Sequence, residues 1–177
     1  MCGIIGISSN KSVSANIINS LKKLEYRGYD SAGVATLFGG EINEVKSEGR
    51  VDKLEQNFDL KSLKGNIGIG HVRWATHGFP NSINAHPHSS DNVSVVHNGI
   101  IENSTILKKH LVNKGHTFKS QTDTEVIVHL ITENLKTMEL EEAITKTLKQ
   151  LHGSFALGII FKDIPDLIVG ARRGSPL

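Results

Sequence analysis

With one cysteine in its 177 residues the chain has no internal disulfide, so Cys2 is either incidental or present for its reactivity. No apolar run approaches the roughly 20 residues that a membrane span needs. The N-terminus offers only a few apolar residues before Ser8, Ser9 and Asn10, too few for a secretory leader. Neither charge is in excess: 20 basic and 18 acidic residues give a formal net charge of +2 and are mixed along the chain without a Lys/Arg block. Aromatics are scarce, with one tryptophan, two tyrosines and six phenylalanines. Such a surface is a poor partner for nucleic acid, and neither nucleic acid nor membrane is expected as a partner. Internal repeats, low-complexity segments and linkers are also missing. What remains is a soluble, cytoplasmic chain of one domain, long enough to bury a sizeable core.

Apolar patterning gives the elements. Ile4 to Ser8 reads as a buried strand that starts almost at the first residue, so that a sheet holds position 2. Ile17, Ile18, Leu21 and Leu24 recur at helical spacing and stop at Arg27-Gly28. Strands are expected at 34–38, 41–45, 66–74, with Gly68 and Gly70 marking close approach, and 93–97. A short helix is expected at 51–58. Two amphipathic helices around Ile106–Leu111 and Val126–Ile131 and a third over 139–151 precede strands at 154–161 and 166–171. Strands in blocks with helices between them predict layered sheets rather than a doubly wound parallel sheet. The segment 168–177 reads as a strand leaving into a loop, as in a domain cut short at its C-terminal end.

Four groups of residues could carry chemistry. Removal of Met1, normal before a small residue, leaves Cys2 with both a thiol and a free α-amine. That amine has an ordinary pKa near 8 and can serve as general base toward its own thiol. The alternative is a small terminal residue without a role. In His71-Val72-Arg73-Trp74-Ala75-Thr76-His77-Gly78 a strand runs into a polar and aromatic loop. Arg73 offers a planar fork for a carboxylate, Trp74 a cover, and Thr76 and His77 hydrogen bonds; alternatively Arg73 pairs with an acid and Trp74 is core. Asn98-Gly99 reads as a tight turn ending a strand, or as an oxyanion hole made from the Asn98 amide and the Gly99 N–H. Thr122 or Asp123 can cap the following helix, and a carboxylate there can also receive an ammonium group. Nine histidines raise the question of metal, but neither a cysteine pair nor a His-Glu-x-x-His pattern accompanies them, and no metal and no cofactor is expected.

The order of Cys2, Arg73-Trp74-Ala75-Thr76-His77-Gly78, His97-Asn98-Gly99 and Thr122-Asp123-Thr124-Glu125 resembles the class II glutamine amidotransferases over essentially the whole chain. The segment from Leu24 to Gly33 narrows the resemblance to members whose amidotransferase domain precedes sugar-phosphate isomerase domains. Amidophosphoribosyltransferases typically carry a His-Arg-Gly-Gln type loop where this chain has Tyr26-Arg27-Gly28-Tyr29. The resemblance implies an α+β fold, the four-layer αββα sandwich of N-terminal-nucleophile hydrolases, over residues 2–177 and incomplete at the C-terminus. It implies L-glutamine as substrate, with Cys2 as nucleophile and Asn98 and Gly99 holding the oxyanion. Arg73 would take the substrate carboxylate and Asp123 its ammonium, under a loop of Trp74, Thr76 and His77. The implied partner is the isomerase domain that receives ammonia in a full-length protein; a homodimer is left open. The competing expectations are a truncated glutamine-binding module with impaired catalysis, and the glutaminase domain of another class II amidotransferase.

Overall fold

The computed structural model describes residues 2–59 and 62–177. Strand β1 (Gly3–Ser8) leads into helix α1 (Ser14–Leu24), whose Ile17, Ile18 and Leu21 form one buried stripe while Lys22 and Lys23 sit in the last turn, where cations suit the helix dipole. Next come β2 (Ser31–Phe38), β3 (Glu41–Glu48), the short α2 (Val51–Asn57) and β4 (Ile67–Arg73). These four strands make an antiparallel sheet in the order β1-β4-β2-β3. The outer face of the sheet is covered by Val13, Ile17, Ile18 and Leu21 from the α1 side and by Val51 and Leu54 of α2. A Cβ at Gly70 would lie 2.5 Å from Ile17 Cγ2, so glycine in β4 is what lets α1 settle on the sheet.

The second sheet, β5-β6-β7-β8, is also antiparallel: β5 (His88–Ser89), β6 (Val93–Ile101), β7 (Gly153–Phe161) and β8 (Ile164–Arg173). Between β6 and β7 run α3 (Ser104–Asn113), α4 (Glu125–Leu135) and α5 (Leu140–Gln150), which cover its outer face in a core that includes Leu107, Leu111, Ile127, Ile131, Phe155 and Leu157. Strand alternation sends the opposite residues inward, where Ala35, Leu37, Ile67, Ile69, Val96 and Ile160 join the two sheets. The result is the helix–sheet–sheet–helix order of an N-terminal-nucleophile hydrolase. No helix among the described residues is long and apolar enough to cross a membrane.

Three local readings change. Asn98-Gly99 is not a turn: β6 continues to Ile101, with Asn98 opposite Ala156 and Gly99 opposite Phe155. Gly99 has φ +146, and a Cβ there would meet the Ser154 carbonyl oxygen at 2.1 Å, so the glycine serves close strand contact instead of chain reversal. Neither Thr122 nor Asp123 caps α4, whose N-terminus has no side-chain cap. The Asp123 carboxylate instead accepts the Ile101 N–H at 2.7 Å. Strand β5, unanticipated because it is two residues long, pairs His88 with Val95 directly after the cis His86–Pro87 peptide.

Candidate active site

Antiparallel pairing of β1 with β4 sets Gly3 opposite Val72 and so brings the start of the chain to the end of β4, where the 74–80 loop begins. There the Trp74 N–H donates to Cys2 Sγ at 3.5 Å, and the thiol faces the Trp74 carbonyl at 3.8 Å. Burial pushes the Cys2 thiol pKa above its ordinary value; the contact with the Trp74 backbone and the nearby Arg73 charge oppose the rise without reversing it. The resting group is therefore a thiol, and attack by it requires a base. Met1, whose removal would free the Cys2 amine, lies outside the described residues.

Arg73 is 3% exposed and is charge-coupled to Asp30, Cys2 and Asp123. Its guanidinium donates to three successive loop carbonyls: Nη2 to His77 and, at 3.2 Å, to Gly78, and Nη1 to Phe79 at 3.4 Å. The residue read as a carboxylate fork is thus also the post around which its own loop is wound. Of the other loop residues, Trp74 stands half exposed with its ring edge-on to Tyr29 at 5.8 Å. Thr76 and His77 are exposed, their side chains 3.3 Å apart.

The opposite wall comes from the second sheet. Asn98 shares the parity of Val96, so its side chain points between the sheets; it is 9% exposed, and its amide bonds to none of the described residues. The amide is not among the fully buried atoms that lack a partner, so it keeps contact with solvent and is available to a ligand oxygen. Asp123, 8% exposed, is tied to β6 through Ile101. The charges of Cys2 and Asp123 both act on Arg73, Asn98 lies on β6 between His97, whose carbonyl accepts from His71, and Ile101, whose N–H donates to Asp123, and Thr76 and His77 are exposed on the loop.

Asp30 escaped the sequence reading. Its carboxylate accepts the Ala75 N–H and, at 3.1 Å, the Ser31 hydroxyl, while its N–H donates to the Arg73 carbonyl at 3.2 Å. Gly28 lies flat against the same backbone, where a Cβ would meet the Arg73 carbonyl carbon at 2.4 Å. The signal was present as Gly-x-Asp-Ser between a helix and a strand, a pattern in which side chains bind nearby backbone. No group of three or more His, Cys, Asp or Glu among the described residues is arranged to hold a metal ion.

The family model of a glutamine amidotransferase domain matches residues 73–173. The whole chain is 55% identical to a glutamine–fructose-6-phosphate aminotransferase (isomerizing) of Mesorhizobium japonicum, and 52% identical to one of Pyrococcus horikoshii. It spans 29% and 30% of those two relatives' lengths. Among solved structures, the glutamine phosphoribosylpyrophosphate amidotransferase of B. subtilis superposes with a TM-score of 0.81 at 31% identity, over 92% of this chain and 35% of that one.

Proposed function

This chain belongs to the glutamine amidotransferase domain family, and we propose that it hydrolyses L-glutamine to glutamate and ammonia through a thioester on Cys2. The observation that carries the reading is the half-buried, still protonated Cys2 thiol on the Trp74 backbone, with Arg73 and Asp123 in electrostatic reach of one another and the unpartnered Asn98 amide on β6. Cys2 Sγ attacks the side-chain amide carbon of glutamine as the Cys2 α-amine takes the thiol proton. The oxyanion is held by the Asn98 amide and the Gly99 N–H. The C–N bond breaks, the amine's proton leaves on ammonia, and water then cleaves the γ-glutamyl thioester. Arg73 holds the substrate carboxylate with donors its loop bonds leave over, Asp123 receives the ammonium, and Trp74, Thr76 and His77 complete the rim.

The higher identity to the aminotransferases favours one destination for the ammonia. Residues 2–177 belong to the glutaminase domain of a cytoplasmic enzyme that makes glucosamine 6-phosphate from fructose 6-phosphate, and a sugar-phosphate isomerase domain receives the ammonia. Acid quenching during turnover tests the covalent step. A γ-glutamyl adduct on the N-terminal peptide, discharged by hydroxylamine, is expected; an unmodified peptide under turnover with glutamine in excess contradicts it.

A further inference from the structure

Behind the site lies a buried polar line that the chemistry above does not use. His71, His86, His97 and Thr124 are each at most 4% exposed. The His71 Nε2–H donates to the His97 carbonyl at 2.9 Å, and because a carbonyl only accepts, this fixes the His71 tautomer. The His71 ring stacks on that of His86 at 4.1 Å. Thr124 Oγ1 then meets two rings at once, His86 Nε2 at 2.7 Å and His97 Nδ1 at 2.9 Å. A hydroxyl, with one proton and two lone pairs, can donate to one of these ring nitrogens and accept from the other, while His71 Nδ1, His86 Nδ1 and His97 Nε2 are buried without a partner among the described residues. Burial keeps them neutral, lowering His71 to about 3 and His97 to about 4, with His86 also well below its ordinary value.

The members of this line stand beside the site in sequence. His71 is two residues before Arg73, His97 directly precedes Asn98, and Thr124 directly follows Asp123. We propose that Thr124 is a positioning residue whose single hydroxyl, by holding His97 and His86 together, sets the placement of Asn98 on β6 relative to Asp123 at the start of α4. The consequence for turnover rests on the glutaminase reading; the placement itself does not. Without the hydroxyl two buried ring nitrogens lose their partner; β6 stays paired with β7 through His97–Leu157 and Asn98–Ala156, but of its described hydrogen bonds to the start of α4 only that from the Ile101 N–H to Asp123 remains.

The test compares Thr124→Val, which keeps the shape without the hydroxyl, with Thr124→Ser, which keeps the hydroxyl, in the full chain. Thr147→Val is the control, because Thr147 is equally buried and its hydroxyl accepts from Asn134 at 3.0 Å, away from the site. Amide hydrogen exchange over residues 98–101 reads placement, and steady-state glutamate release reads the consequence. Thr124→Val is expected to exchange about tenfold faster there and to lose about tenfold or more in kcat with a smaller change in KM, the scale of an unsatisfied buried group. Thr124→Ser and Thr147→Val should retain kcat within about threefold. Parental exchange or parental kcat in a folded Thr124→Val overturns the proposal, as does an equal kcat loss in Thr147→Val. If Thr124→Val does not fold, His97→Asn, which keeps an amide near the Nδ1 position, is set against His97→Leu, and equal kcat in the two overturns it. If the parent releases no glutamate, the glutaminase reading fails and the exchange comparison alone decides the placement.

Discussion

Acidification from pH 7.5 to 5.5 should strip this protein of much of its stability, because His71, His86, His88 and His97 are buried neutral. Desolvation is the largest cause in each: His71 and His88 fall to about 3, His97 to about 4, and His86 well below the ordinary 6.5. The charges facing them act in both directions, Arg73 and Lys46 against protonation and Asp123 and Glu125 in its favour, and burial outweighs them. A pKa lower in the folded than in the unfolded state stabilises fully above 6.5 and loses that stabilisation as the pH falls toward 3–4, since the unfolded chain then binds the extra protons. Each histidine costs about 1.4 kcal/mol between pH 7.5 and 5.5, and four cost about 5 kcal/mol. Against a typical total of about 5–15 kcal/mol this is a large fraction, and at about 2–4 °C per kcal/mol it lowers Tm by roughly 10–20 °C. Calorimetry at the two pH values is the assay. His88→Gln, which removes one titrating ring, should reduce the loss by about a quarter. Melting temperatures within about 3 °C of each other would refute the reasoning.

Asn98→Asp replaces an oxyanion donor with a negative acceptor, and kcat should fall by about a hundred- to a thousandfold with KM affected much less; a folded variant with near-parental turnover removes Asn98 from the mechanism. Arg73→Lys should raise KM and also loosen the loop, because an ammonium reproduces neither a carboxylate fork nor the three bonds to the carbonyls of His77, Gly78 and Phe79; unchanged KM and unchanged proteolysis of the 74–80 loop would count against both roles. Gly99→Ala should lose both activity and Tm, because the added Cβ would lie 2.1 Å from the Ser154 oxygen at φ +146; a parental melting curve would contradict the close strand contact.

Where one face was apolar at a fixed period, the chain was readable: Ile17, Ile18 and Leu21 of α1 gave element and facing together, and Gly68 and Gly70 of β4 marked the close approach that Ile17 makes. Asn98-Gly99 was misleading because the same dipeptide that makes a turn also fits a strand pressed against its neighbour, and only the pairing with β7 decides between them. The Asp123 cap failed similarly, since the local N–H groups lost the carboxylate to Ile101, 22 residues away. Cys2, Arg73 and Asn98 were legible as candidates from residue type and order. Their support was not: Asp30 under the loop and Thr124 between two histidines act through contacts made by the tertiary fold.

The central claim is that Cys2 turns glutamine over. Glutamate release by the chain with its N-terminal methionine removed should be lost in Cys2→Ala while the melting curve stays parental, because a terminal side chain contributes little to packing and the thiol is the sole nucleophile. Turnover in folded Cys2→Ala within about tenfold of the parent would contradict the account.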